Sequence, residues 1–108
     1  MKESELERIL VEEVRKEGGK AYKWVSPGND GVPDRIVIFP GGKIYFVELK
    51  AEGGRVSATQ IAQLKALASL GLDAFVIRGI KGLIGFFCIA GKDHIADRLK
   101  KKYGGGDD

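Results

Sequence analysis

At 108 residues, with one cysteine, 44% hydrophobic and 31% charged residues, the chain reads as one soluble globular domain over residues 1–108, with no internal disulfide and no disordered composition. A net charge of +3 is compatible with a polyanionic partner but does not identify one. No apolar stretch is long enough to span a bilayer, and Met1-Lys2-Glu3-Ser4-Glu5 lacks the apolar region of a signal peptide, so a cytosolic protein is expected.

Residues 3–17 are predicted to form an amphipathic helix, with Leu6, Ile9, Leu10, Val11 and Val14 in one stripe and Gly18-Gly19 as its stop. A short strand over 20–25 and a turn-rich loop, Ser26-Pro27-Gly28-Asn29-Asp30-Gly31, follow. Strands over 34–39 and 43–50 are joined by Pro40-Gly41-Gly42 into a hairpin. The second of these strands is apolar on both faces and is expected to be central and covered on both sides. The best helix covers 57–70, with Ile61, Leu64, Leu67 and Ala68 expected to face the core. A fourth strand over 72–77, a fifth over 83–89 and a last helix over 92–103 complete the order α-β-β-β-α-β-β-α, and 104–108 is expected to be a flexible tail. The β-α-β crossover makes the third and fourth strands parallel, giving a mixed β-sheet flanked by helices. Cys88, inside the fifth apolar run, is expected to be a buried inert thiol.

Three charges stand out against this scaffold. Asp34 begins one hairpin strand, and Glu48 and Lys50 end the other on a shared face. If 40–42 form a three-residue loop, Phe39 pairs with Lys43, Ile36 with Phe46 and Asp34 with Glu48. Two carboxylates that close repel unless they share a cation or a proton. A two-residue turn would shift the register by one and send them to opposite faces. Hard oxygen ligands suit Mg²⁺ or Mn²⁺, which would polarise a scissile phosphate and lower the pKa of a bound water. Lys50 is placed to orient that water or to neutralise transition-state charge. Singly, each charge is read as a turn residue or a surface ion pair; together, in that register, they read as a site. No zinc cluster, Walker loop or Ser-His-Asp triad is present in the sequence.

The pattern Lys23-Trp24-Val25-Ser26-Pro27-Gly28-Asn29, Gly31-Val32-Pro33-Asp34-Arg35, Phe46-Val47-Glu48-Leu49-Lys50 and Gln60 resembles the PD-(D/E)xK nuclease superfamily, and within it a stand-alone, phage-type VRR-NUC domain. The resemblance covers about residues 3–78 and implies a restriction-endonuclease-like α/β core. It implies a phage-encoded enzyme acting in the host cell, which cleaves DNA with Mg²⁺ or Mn²⁺ and leaves a 5′-phosphate. It further implies a likeness to homodimeric Holliday junction resolvases, hence branched DNA as partner. Carried across, Asp34, Glu48 and the Leu49 backbone carbonyl hold the metal and Lys50 is the catalytic lysine. A helix acid joins them, with Glu7 the choice and Glu3 the competitor. Gln60 is expected near the metal, and it also fits a capping box with Ser57. Lys20, Tyr22, Lys23, Ser26, Asn29 and Arg55 are the expected DNA contacts. Lys100-Lys101-Lys102, His94 and Trp24 are read as a polar helix face, a structural histidine and a core residue. The alternatives are a nicking or end-processing nuclease without junction preference, and a non-catalytic DNA-binding module.

Overall fold

The computed structural model describes residues 1–104. Helix α1 spans Glu3–Lys16, β1 Lys20–Lys23, β2 Arg35–Phe39, β3 Lys43–Lys50, α2 Ala58–Ser69, β4 Ala74–Arg78, α3 Gly79–Ile89 and α4 Asp93–Tyr103. The four strands form one mixed sheet in the order β1-β2-β3-β4. β1–β2 and β2–β3 are antiparallel, whereas β3–β4, linked through α2, is parallel. This is the expected α/β class.

Strand alternation sets the core. Val37, Phe39, Tyr45, Val47, Leu49 and Ile77 turn to one face of the sheet. There they meet Leu6, Leu10 and Val14 of α1, Leu83, Phe86 and Phe87 of α3, and Ile95 and Leu99 of α4. Each such buried side chain contributes roughly 1.5–3 kcal/mol of transfer free energy. Glu17 at the end of α1 is tied to the start of α4, with His94 Nε2 at 2.7 Å and Lys92 Nζ at 3.7 Å. The hydrogen bond to His94 is the main reason the Glu17 carboxyl is held below its usual range. His94 is thus a structural tie, as expected.

Five expectations are corrected. Residues 83–89 are not a fifth strand but part of α3, so the order is α-β-β-β-α-β-α-α. Gly79, at φ +64°, turns the chain off β4 directly into that helix. Leu83, Phe86 and Phe87 then bury one helical face, and a short apolar run cannot by periodicity alone be told from a strand. Cys88 lies off that face and is exposed, not buried. Helix α2 buries none of its residues; Leu64 and Leu67 are half-buried, and Ile61 and Ala68 are exposed. Among the described residues it is the only helix on the second face of the sheet, packed against β4 at the edge. For the same reason β3 is fully covered on one side only, with Ile44 41% exposed. Trp24, expected in the core, is half-buried and tilted against Phe46 at 5.5 Å on this partly open face. Beyond Gly104, the expected tail lies outside the described residues.

Candidate active site

The hairpin loop is the three-residue one. Phe39 pairs with Lys43, Ile36 with Phe46, and the ladder runs to Arg35 opposite Val47. One step further, the same register brings Asp34 opposite Glu48. Gly41 and Gly42 take φ +95° and +84°, conformations that only glycine adopts freely, and the Gly42 N–H closes the turn on the Phe39 carbonyl. At the far end of the hairpin, the Leu49 amide lies past the last rung and donates to Asp34 Oδ2 at 2.8 Å. Phe46 N–H donates to Asp73 of the β4 side, so the odd-numbered residues of β3 direct their backbone groups to β2. The Leu49 carbonyl therefore points the same way as its amide, toward Asp34.

Glu48 is only 2% exposed. Its Oε2 accepts from Gln60 Nε2 at 2.9 Å and lies 3.4 Å from Lys50 Nζ. Its Oε1 is buried with no hydrogen-bond partner. Burial, and then the charge of Asp34, push the Glu48 carboxyl up to about 7, with Lys50 opposing and Glu3 adding to the rise. A buried, unpartnered carboxylate oxygen beside a second carboxylate is costly by itself and is relieved by a cation. Two carboxylates and a carbonyl suit a hard divalent ion that keeps several waters. Among the described residues no three His, Cys, Asp or Glu side chains gather as a complete metal cluster. The residues present therefore fit a water-rich Mg²⁺ or Mn²⁺ position and not a closed protein cage.

Gln60 makes the anticipated cap and also bonds to Glu48. Its Oε1 accepts from Ser57 N–H at 2.9 Å while the Ser57 hydroxyl accepts from Gln60 N–H at 3.1 Å, completing a capping box. The cap leaves Nε2 free to hold Glu48, and so fixes the start of α2 to the end of β3. Gly31, at φ +85°, lets the preceding loop press on α2, where an added Cβ would lie 2.8 Å from Thr59 backbone carbon.

The two helix acids have different surroundings. Glu7 Oε2 accepts from Arg35 Nε at 2.8 Å, and Arg35 Nη1 also donates to the Ala21 carbonyl at 3.0 Å. Glu7 thereby locks α1 to β1 and β2. Glu3, one turn nearer the helix start, adds the smallest of the charge contributions that raise Glu48, behind burial and Asp34. Helical spacing alone could not separate the two, because the docking angle of α1 decides which turn reaches the sheet end. Of the expected DNA contacts, Lys20, Tyr22, Lys23, Asn29 and Arg55 are exposed and Ser26 is half-buried. Lys20 lies over the Tyr22 ring at 5.2 Å, and Asn29 is bonded to the Ser26 hydroxyl at 3.0 Å. Arg78, which no sequence signal singled out, ends β4 opposite Lys50.

Comparison with known proteins agrees with this geometry. A family model described as "VRR-NUC domain" matches residues 1–81. The chain is 49% identical over 77 residues to "Putative nuclease p44" of Acyrthosiphon pisum secondary endosymbiont phage 1, covering 71% of this chain and 83% of that protein. A solved structure described as "VRR_NUC domain" superposes with a TM-score of 0.67 at 26% identity, covering 94% of this chain and 96% of the other. A second, "VRR_NUC domain protein", is 16% identical with a TM-score of 0.64 over 88% and 90% of the two chains, and supports the fold alone.

Proposed function

The chain belongs to the VRR-NUC domain family, and from that premise we propose that it is a divalent-metal-dependent DNA endonuclease acting on branched substrates in the manner of a Holliday junction resolvase. The observation that carries the chemistry is the buried Glu48 carboxylate, one oxygen unpartnered, with Asp34 one register step past the β2–β3 ladder. A Mg²⁺ or Mn²⁺ held by Asp34, Glu48 and the Leu49 carbonyl would supply Lewis-acid polarisation of the phosphate and a water of lowered pKa. Glu3, whose charge bears on Glu48, is the α1 acid we assign to the neighbourhood of that set, Glu7 being paired with Arg35.

The chain's own groups do the rest. Lys50, 3.4 Å from Glu48 and largely buried, presents its ammonium where charge grows on the phosphoryl oxygens. Gln60 fixes the Glu48 carboxylate through Oε2 and so leaves Oε1 directed into the site. Asp34 is held by the Leu49 amide in the same way. In-line attack by water, with the bond to the 3′ oxygen breaking, leaves a 5′-phosphate.

Resolution of a junction needs two cuts, and one such site cuts one strand. The half-open sheet face, with Ile44 and Leu72 41% and 40% exposed, supports a homodimer in which a second copy covers it. A labelled four-way junction and a matched linear duplex, each incubated with Mg²⁺ or with EDTA, test the reading. Junction cleavage with Mg²⁺ alone is expected. Absence of cleavage with either Mg²⁺ or Mn²⁺ overturns the enzymatic reading, and equal cutting of duplex and junction removes the branched-DNA selectivity and leaves a general nicking nuclease.

A further inference from the structure

The last rung of the parallel β3–β4 ladder pairs Lys50 with Arg78, two steps beyond Glu48 with Val76. Paired residues on neighbouring strands turn to the same face, about 4.7–4.9 Å apart. Arg78 therefore stands beside Lys50 on the face that carries Glu48. The charges already at this end of the sheet are poor at holding a polyanion: Asp34, Glu48 and Glu3 are acids, and the Lys50 ammonium is drawn to Glu48 at 3.4 Å. Arg78 is exposed, and among the described residues it forms no ion pair with any acid. Its Nη1 donates to the Gly54 carbonyl, which steadies the guanidinium and holds the loop that carries Arg55. Gly79, at φ +64° and packed against Glu52, turns the chain away immediately after it. The remaining edge of the guanidinium offers the planar donor fork that matches a phosphate.

We propose that Arg78 binds a backbone phosphate of the DNA strand beside the one that Lys50 addresses, making the pair Lys50–Arg78 a two-phosphate clamp at the end of the sheet. The assignment of the neighbouring site rests on the nuclease reading above; the phosphate contact does not require that cutting occur. It can therefore be tested by binding alone, with a fluorescently labelled four-way junction in EDTA, across a series of KCl concentrations. Arg78→Gln keeps an amide donor for the Gly54 carbonyl and removes the charge, whereas Arg78→Lys keeps the charge.

The expected result is that Arg78→Gln weakens binding several-fold and flattens the slope of log K against log [KCl] by about 0.9, one phosphate contact. Arg78→Lys should restore the slope. A wild-type slope in Arg78→Gln overturns the proposal. So does weaker binding by both variants at an unchanged slope, which would make Arg78 a loop latch only, and so does a wild-type protein that binds no DNA. A flattened slope in a protein that cuts nothing supports the phosphate contact while removing the nuclease reading.

Discussion

Glu48 is where stability and activity pull apart. Its carboxyl titrates near 7 in the folded protein against an ordinary 4.5, so the folded state binds the proton more tightly than the unfolded chain. The associated stability is fully present below the ordinary value and is lost as pH rises through about 7. Without metal, the protein should therefore lose on the order of 2–3 kcal/mol between pH 4.5 and pH 8, measured by urea denaturation in EDTA. Mg²⁺ at pH 8 should restore part of that loss in the wild type and none in Glu48→Gln, which should be the more stable of the two in EDTA and cut nothing. A Mg²⁺ shift of equal size in Glu48→Gln would place the ion elsewhere. Lys50→Ala should lower kcat by roughly 10²–10³-fold, the usual cost of removing one preorganised stabiliser of transition-state charge. Single-turnover cleavage with saturating DNA checks this; a defect that disappears at saturation would make Lys50 a phosphate anchor. The sequence identified Asp34, Glu48 and Lys50 because their chemistry is expressed within one hairpin. It could not show that Glu7 is engaged by Arg35, since that contact belongs to the docking of α1.

Elements bring the site together through their ends. The end of β3 contributes Glu48 and Lys50, the start of α2 contributes Gln60, and the first turn of α1 adds the charge of Glu3 to the rise at Glu48. Ser57 and Gln60 allow capping and orientation to be separated. Ser57→Ala should cost about 1 kcal/mol in thermal or urea denaturation and leave cleavage close to wild type. Gln60→Ala removes the other half of the capping box, the bond from Ser57 N–H to Oε1, and also the hold on Glu48, so it should show a similar stability loss and a clear fall in kcat. Equal activity in the two variants would reduce Gln60 to a cap. Helix-end chemistry of this kind is local, and Ser57-Ala58-Thr59-Gln60 announces it in sequence. The α3 assignment shows the opposite case. Its run of Leu83 to Ile89 is apolar enough for either period, and the helix wins because Gly79 redirects the chain and α1 and α4 supply a surface for Leu83, Phe86 and Phe87.

Across the whole molecule, the two faces of the sheet are treated unequally. Three helices seal one face, while α2 alone lies on the other and buries nothing fully. Ile44 and Leu72, which would stand side by side if the β3–β4 register continued, leave 41% and 40% of their surface in solvent on that face. On the homodimer reading, Ile44→Glu with Leu72→Glu should convert a dimer to a monomer in sedimentation equilibrium. The same variant should replace paired junction cuts by single nicks. A wild-type monomer at micromolar concentration would remove the dimer from the proposal. None of this asymmetry was expected from sequence, because the α2 stripe Ile61, Leu64, Leu67 looks like a core face until the sheet edge beneath it is known.

By itself the sequence determined the α/β class with its mixed sheet and put Asp34, Glu48 and Lys50 on one hairpin, while the choice between a three-residue and a two-residue turn came from the observed register. Glycines with positive φ, strand alternation and capping residues act over a few neighbours, so their consequences can be read locally. Tertiary structure alone decided that Leu83 to Ile89 is helical and Cys88 exposed. It also decided that Glu7 pairs with Arg35, and that Arg78 stands beside Lys50. Those outcomes depend on docking angles and on a parallel register set across a helical crossover, quantities that side-chain packing fixes between residues far apart in the chain.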